Sequence, residues 1–254
     1  MRITDSHAHL NERELADFVG KLELFESLRV VSNSVDTSSS VRNLEIAVSS
    51  RSVVPFVGIH PEIFSRSEFA NITNEELGGI VSELSRLVKK ARGIGEVGLD
   101  PKYGRNEAQE YLLRQILSLA ESERIPIAFH CRETASQILK LLDSFRLRQN
   151  LLFHWFSGSE SELRRLHERG IYTSFGPSIL FSKRMCELVR LSERNFILLE
   201  TDSPTPYRSL FDGTSTPFMV SSVALKMASI LGITFKDVCE LTESNSEKYL
   251  LTQD

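Results

Sequence analysis

The sequence predicts an α/β fold, a TIM (β/α)8 barrel formed as a single domain over residues 1–254. Short apolar segments alternate with amphipathic helical segments along the chain, which is typical of a parallel sheet. Eight strand-like segments can be counted, and about 250 residues is a usual length for a closed barrel in one domain. No G-x-G-x-x-G motif follows the first segment, which disfavours an open dinucleotide-binding sheet.

The predicted strands are almost continuously apolar and end in Gly, Pro, Asp or Ser, as strands buried on both faces do. They lie at residues 2–9, 29–35, 53–59, 93–99, 125–131, 151–156, 171–176 and 196–201. Amphipathic helices are predicted between them, and two more at 217–231 and 235–250 close the chain.

Charge and cysteine content exclude several classes of protein. A net charge of −4 argues against a broad basic surface for duplex DNA but leaves room for a small basic phosphate pocket. No apolar run approaches the roughly 20 residues of a membrane span, and no secretory signal is visible. Cys131, Cys186 and Cys239 are widely spaced and make neither a disulfide framework nor a cysteine zinc site. We therefore expect a cytoplasmic protein with no membrane association and no obligate protein partner.

The first predicted strand carries the sequence ITDSHAHL, in which Asp5, His7 and His9 share one face because side chains alternate along a strand. Ser6 and Ala8 on the other face are small. A solvent-facing strand has no need of this pattern, and a packed core would prefer Val or Ile. The pattern indicates a polar site inside the sheet.

Other polar residues fall at the ends of later strands. His60, Glu96, His130, His154 and Asp202 lie within or just past the carboxyl ends of predicted strands. Barrel enzymes place their chemistry at this rim, so these residues should converge on one mouth.

Imidazole and carboxylate groups together suit Zn²⁺, Mn²⁺ or Fe²⁺, which activate water at an open coordination position. The candidate ligands are His7, His9, Glu96, His130, His154 and Asp202. Six ligands are too many for one open zinc site but fit two metals that share Glu96. Two divalent ions and two carboxylates leave a net positive charge, which modestly favours an anionic phosphoester over a neutral amide.

Six motifs in this order resemble the TatD-like metal-dependent hydrolases and deoxyribonucleases of the amidohydrolase superfamily. They are DSHAHL (5–10), GIHP (58–61), GEVGLD (95–100), HCRE (130–133), HWFSG (154–158) and ETDSP (200–204). The resemblance implies a TIM barrel, two divalent metal ions and exonuclease-like cleavage of phosphodiester bonds in DNA. The ions could be Zn²⁺, Mg²⁺ or Mn²⁺.

Together these arguments assign His7, His9 and Asp202 to one ion, and Asp202 is also expected to act as the general base. His130 and His154 are assigned to the other ion. Each residue alone also fits a purely structural role, such as a histidine in the core or an aspartate in a turn. The combination of these residues is what favours metal ligation.

Glu96 is expected to bridge the ions and so to act in catalysis, although a salt bridge to a strand arginine is the alternative for a buried glutamate. Asp5 and Glu200 lie one pleat deeper than the ligands. Asp5 is expected to have a structural role or to orient an imidazole, with direct ligation as the lesser alternative, and Glu200 is expected to support a ligand from behind.

Substrate contacts are predicted at the rim. They involve His60, Tyr103, Arg132 and Arg208. Trp155 is expected to pack rather than to stack on a base, and His167 is expected to be exposed on a charged helix. The loop at 205–217 departs from the family pattern, of which Tyr207, Arg208 and Pro217 are kept.

Two alternatives stay open at this point. One is a different hydrolase of the same superfamily, such as a lactonase, amidase or phosphotriesterase. Glu96 discriminates here, because it stands where related enzymes often use a carboxylated lysine. The other is a non-catalytic barrel, stabilised by metal, that acts as a binding module and would bind metal without turning over any ester.

Overall fold

A computed structural model of the chain describes residues 2–210 and 212–251. The predicted domain also includes Met1, Phe211 and residues 252–254, which lie outside the described residues. Eight parallel strands follow one another in chain order around a nearly closed barrel, as predicted. The strands are β1 (Ile3–Ala8), β2 (Leu28–Ser32), β3 (Val53–Val57), β4 (Gly93–Gly98), β5 (Ile127–His130), β6 (Leu151–Phe153), β7 (Tyr172–Phe175) and β8 (Ile197–Leu199).

Backbone hydrogen bonds bring the last strand back to the first. The Asp202 amide donates to the His7 carbonyl at 2.8 Å, and the His9 amide donates to the Ser203 carbonyl at 2.7 Å. These bonds lie at the carboxyl ends of β1 and β8. They therefore place the residues that follow β8 directly beside the two histidines of β1.

Helices surround the barrel, and several begin with a side chain that accepts a hydrogen bond from the first turn, which satisfies an otherwise unpaired amide. Thr73 and Glu76 form such a reciprocal cap, and so do Ser159 and Glu162. The helices of the described residues are α1 (Ala16–Val19), α2 (Thr37–Ser49), α3 (Asn74–Val88), α4 (Asn106–Glu123), α5 (Ala135–Leu142), α6 (Glu160–Glu168), α7 (Lys183–Leu191), α8 (Val220–Leu231) and α9 (Phe235–Tyr249).

The barrel interior is apolar at its amino end and polar at its carboxyl end. The apolar layer consists of Val31, Phe56, Ala128, Leu152, Tyr172 and Leu198, with Tyr249 of α9 packed against it. Because strand side chains alternate, the next inward position lies two residues further along each strand. On β5 and β6 this step leads from Ala128 to His130 and from Leu152 to His154. The floor of the site therefore rests on a packed plug.

Within the described ranges, no single helix is both long and apolar enough to cross a membrane. A pair of helical segments, Pro217–Leu231 and Phe235–Tyr249, has suitable length and composition when taken together, but the two are bent at 109° to each other.

The prediction that His167 is exposed is wrong. His167 lies on α6 and is buried, with Leu163 and Leu166 on the same face. Its Nδ1 accepts a hydrogen bond from the Glu193 amide at 3.1 Å, so its Nε2 carries the proton and donates to Thr173 Oγ1 at 3.1 Å. Burial lowers the pKa of His167 from 6.5 to about 4. The charged neighbours in the sequence obscured a helical spacing of three and four residues that marks a buried face.

We expect His167 to make the stability of the fold depend on pH. The folded pKa is depressed, so the unfolded chain binds the additional proton between pH 6.5 and about 4. The free energy of unfolding should therefore fall as the pH falls through this window. Urea unfolding of the wild type and of His167→Gln at several pH values measures the contribution as a difference between the two proteins. A difference that does not change with pH would contradict this role of His167.

Candidate metal centre

Glu96 of β4 lies at the centre of a cluster of histidines. Its Oε1 lies 2.6 Å from Nδ1 of His130 and 2.7 Å from Nε2 of His154. Nε2 of His60 lies 3.5 Å from the same oxygen. One oxygen of a buried carboxylate thus faces a histidine that ends β5 and two histidines that follow β3 and β6.

The second oxygen of Glu96 lies closest to the two histidines of β1. Oε2 lies 3.3 Å from Nε2 of His7 and 3.4 Å from Nε2 of His9. Oδ1 of Asp202 lies 3.3 Å from the same nitrogen of His9 and 3.7 Å from that of His7. The structure therefore brings all six predicted ligands together, and the rings of His7 and His154 stack with their centroids 3.7 Å apart.

Three groups of donor atoms within this cluster are close enough to hold a metal ion, since the atoms of each lie within 4.8 Å of one another. The groups are His7, His154 and Asp202; His7, His9 and Glu96; and His60, Glu96 and His130. His60, which is predicted to contact substrate, is therefore itself a member of one of these groups.

Hydrogen bonds on the far side of each ring indicate which nitrogen is available to the site. Nδ1 of His9 lies 3.2 Å from the carbonyl of Asn33 and donates to it, so Nε2 is the nitrogen that faces the site. Nδ1 of His60 instead accepts from the Glu62 amide at 3.1 Å, so the proton of the neutral ring is on Nε2. His9 fits a metal ligand, whereas His60 fits a hydrogen-bond donor.

Asp100 is an orienting residue that the sequence reasoning did not identify. Its Oδ2 lies 2.9 Å from Nε2 of His130, whose Nδ1 faces Glu96. Burial lowers the pKa of His130, but Glu96 and Asp100 outweigh it and raise the pKa overall. If a cation replaced the proton on Nδ1, the Asp100 carboxylate on the opposite side of the ring would keep the imidazole oriented toward that cation. The position of Asp100 at the end of the GEVGLD motif, directly after β4, was the sequence signal that could have identified this role.

The carboxylate of Asp5 contacts backbone and hydroxyl groups, which matches the structural role among its two predicted roles and not the orienting of an imidazole ring. It accepts from the Thr201 amide at 2.9 Å, from Thr201 Oγ1 at 2.6 Å and from the His7 amide at 3.3 Å. Burial raises the pKa of Asp5 well above its ordinary value. Asp5 therefore ties β1 to the segment after β8 and holds the backbone of His7.

Glu200 lies behind His154. Its Oε2 accepts from Ser174 Oγ at 2.5 Å and lies 3.6 Å from Nδ1 of His154. Nε2 of the same imidazole faces Glu96. Glu200 is therefore in a position to orient His154.

Close backbone packing holds Glu96 in place. Gly58 follows β3, and a Cβ atom there would lie 2.6 Å from both the amide nitrogen and the carbonyl oxygen of Glu96. The Glu96 amide also donates to the Ser34 carbonyl at 2.8 Å. Only a glycine allows this approach of β3 to β4.

Gly58→Ala is expected to lower the free energy of unfolding by about 2 kcal/mol or more, because the new methyl group overlaps backbone that cannot move alone. It should also lower catalytic activity by displacing Glu96. Gly79→Ala is the matched control. It lies in α3 with nothing within 4 Å of the added Cβ, and should be stabilising by up to about 1 kcal/mol. Urea unfolding of both variants measures these changes, and equal stabilities would contradict the packing argument.

The electrostatic field of the cluster suits cations. Burial would lower the pKa of His9, but hydrogen bonds to Asp202 and Glu96 outweigh it and raise the pKa to about 10. Burial would raise the pKa of Glu96, but His154, His60 and His130 hold it well below its ordinary value. Among the described residues, no Lys or Arg pairs with Glu96 or Asp202. The donors fit Zn²⁺, Mn²⁺ or Fe²⁺ in both chemistry and charge.

The cluster forms the floor of a cavity of about 550 Å³. Its wall includes Tyr103 and Arg132, which are both predicted to contact substrate. It also includes Lys102 and Trp155. Arg208 is exposed and is not among the lining residues. The structure thus places His60, Tyr103 and Arg132 at the cavity and Arg208 outside it.

Comparison with known proteins identifies the family of the chain. A family model described as TatD related DNase matches residues 4–251. The chain is 26% identical over 254 residues to an uncharacterized metal-dependent hydrolase, YabD of Bacillus subtilis (strain 168), covering 96% of this chain and 97% of that one. It is 26% identical over 261 residues to the deoxyribonuclease TATDN3 of Homo sapiens, with 97% and 93% covered.

A solved structure also has the same fold. The crystal structure of YjjV, a TatD homolog from Escherichia coli k12, superposes with a TM-score of 0.86 at 20% identity. The match covers 98% of this chain and 97% of that one. The chain belongs to the TatD related DNase family.

Proposed function

We propose that the protein is a metal-dependent deoxyribonuclease that cleaves phosphodiester bonds at DNA ends, with two divalent metal ions. The observation that carries the proposal is the position of Glu96, whose Oε1 lies closest to His130 and His154 and whose Oε2 lies closest to His7 and His9, within one continuous cluster of imidazoles. Such a carboxylate fits a bridge between two ions. The family relationship supports DNA as the substrate, since a relative of similar length is named a deoxyribonuclease.

In this proposal, His7, His9 and Asp202 hold one ion, His130 and His154 hold the other, and Glu96 is shared. The ions would supply Lewis acid chemistry and lower the pKa of water. The remaining contributions come from groups of the chain, which orient the reactants and move a proton.

Asp202 is proposed as the general base. Its Oδ2 accepts a hydrogen bond from Thr205 Oγ1 at 3.0 Å, which fixes the orientation of the carboxylate. The residue lines the cavity, and nearby imidazoles hold the pKa of Asp202 below its ordinary value despite burial. It is therefore ionised at neutral pH and able to accept a proton from attacking water.

Arg132 and His60 are proposed to bind the phosphate. Arg132 lines the cavity, and among the described residues it has no ion-pair or hydrogen-bond partner, so its guanidinium is available for bidentate contact. His60 lines the same cavity and carries its proton on Nε2, which lies 3.5 Å from Glu96 Oε1. These donors favour an anionic ester over a neutral lactone or amide.

Reconstitution with metal tests this function. The protein is stripped with chelator, restored separately with Mg²⁺, Mn²⁺ or Zn²⁺, and assayed on single-stranded DNA, duplex DNA, bis-nitrophenyl phosphate and a panel of lactones. We expect phosphodiester cleavage that depends on added metal and proceeds from strand ends. Hydrolysis of lactones without any cleavage of phosphodiesters would overturn the proposal, as would metal binding with no turnover on any ester.

A further inference from the structure

Trp155 is the single tryptophan of the chain and lies beside the candidate metal centre. It follows β6, directly after His154, and its half-buried side chain lines the cavity above the metal-binding groups. The expectation that it only packs leaves this position unexplained. An aromatic ring at the mouth of a charged cavity is instead available to a ligand.

The backbone of Trp155 adopts a conformation that bulky residues avoid. Its φ is +40°, in the left-handed region. Both neighbours are fixed, because the His154 amide donates to the Phe129 carbonyl at 3.2 Å and the Phe156 amide donates to the Ser174 carbonyl at 3.2 Å. Strain of this kind persists where the surrounding structure imposes it, and it is concentrated at functional sites.

Tyr207 supports the indole ring. The two ring centroids lie 5.6 Å apart with an interplanar angle of 36°. Tyr207 is itself buried, and its hydroxyl donates to the Thr201 carbonyl at 2.6 Å. The indole is therefore held against a fixed aromatic neighbour, which makes it a rigid platform rather than a mobile side chain.

The cavity wall offers this ring together with a cation. Arg132 lines the same cavity as Trp155 and follows the neighbouring strand, β5. A guanidinium binds phosphate, and an aromatic face stacks on a base of any sequence. A base within a duplex is already stacked and paired, so an unpaired base at a strand end gains most from such a ring.

We propose that Trp155 determines specificity by stacking on the unpaired terminal base of the DNA strand whose phosphodiester is cleaved. This inference rests on the proposed function and deepens it. It requires that a strand end with a base be bound more tightly than the same end without one, with the difference appearing in KM rather than in kcat.

Intrinsic fluorescence tests the stacking directly, because Trp155 is the only tryptophan. The metal-loaded protein is titrated with a short single-stranded oligonucleotide whose phosphodiesters are replaced by slowly cleaved phosphorothioates, and with matched oligonucleotides that carry an abasic residue at the 3′ or the 5′ end. We expect the complete strand to quench the fluorescence and one of the two abasic ends to remove that quenching. Equal quenching by all three strands, or none, would overturn the proposal.

Kinetics of Trp155→Leu and Trp155→Phe provide a second readout. In the wild type, we expect kcat/KM for the complete end to exceed that for the abasic end by about tenfold, the size of base stacking on an aromatic side chain. The ratio should fall to about one in Trp155→Leu and stay close to the wild-type ratio in Trp155→Phe, which keeps a ring. An unchanged ratio in Trp155→Leu would overturn the role of Trp155.

The two proposals fail in different ways. Phosphodiester cleavage with no discrimination between the ends would remove the stacking and leave the proposed function intact. Absence of cleavage of any phosphodiester after metal is restored would remove the proposed function, and with it the stacking at a scissile end.

Discussion

Replacing Glu96 with glutamine is expected to lower kcat/KM by about 10³-fold or more. Both oxygens of Glu96 face imidazole nitrogens, at 2.6 Å and 2.7 Å on one side and at 3.3 Å and 3.4 Å on the other. The glutamine side chain has the same shape, but it carries no charge and presents an NH₂ group in place of one oxygen to the histidines on that side. It would weaken both metal sites at once, and loss of one electrostatic contact alone costs about 10²–10³ in rate.

Steady-state kinetics on a labelled oligonucleotide, with bound metal counted in the same samples, measure this effect. Glu110→Gln is the matched control, because Glu110 is a surface carboxylate of α4 that pairs with Arg114 at 2.8 Å. The control should stay within about twofold of the wild type, as expected for a surface ion pair. Circular dichroism shows whether Glu96→Gln keeps its fold. A folded Glu96→Gln protein with more than a tenth of the wild-type activity would contradict the bridging role.

Asp202→Asn is expected to lower kcat by about 10²–10⁴-fold, the usual contribution of a general base. The substitution keeps the shape of the side chain and the oxygen that accepts from Thr205. It leaves His130, His154 and Glu96 unchanged. Metal content should therefore fall less than in Glu96→Gln, while turnover is lost.

The rate of a single turnover, measured with enzyme in excess over DNA, separates the chemical step from product release. Asp143→Asn serves as the control, since Asp143 is exposed and pairs with Arg169 at 2.8 Å. If Asp202→Asn retains a single-turnover rate within tenfold of the wild type, Asp202 is not the base.

The strands of the barrel could be predicted because strands buried on both faces have short, continuous apolar sequences. The residues at which the strands end were predicted less accurately. The sixth strand is predicted at 151–156, whereas β6 ends at Phe153. Phe156 is apolar because it is buried by packing beyond the ladder, and hydropathy does not separate burial from strand pairing.

Strand-end positions also identify which polar residues the barrel brings to one place, since that follows from topology alone. They do not show which atoms meet. The contact of Asp100 with His130 and of Asp5 with backbone depends on strand register and on the turns after β4 and β8. The roles of the clustered residues as ligands stay predictions until metal is bound.

Loop residues were the least predictable part of the site. Tyr207 and Arg208 are adjacent in the chain, yet Tyr207 is buried with its hydroxyl on the Thr201 carbonyl, and Arg208 is exposed away from the cavity. Tyr207 is held inward by that hydrogen bond and by its contact with the Trp155 ring, and both contacts form only where the loop meets the rest of the barrel.

The most direct test of the central claim is anomalous diffraction from crystals grown with Mn²⁺. Two peaks are predicted, one beside His7, His9 and Asp202 and the other beside His130 and His154, with Glu96 in contact with both. A single peak, or peaks away from Glu96 in crystals of active protein, would contradict the claim.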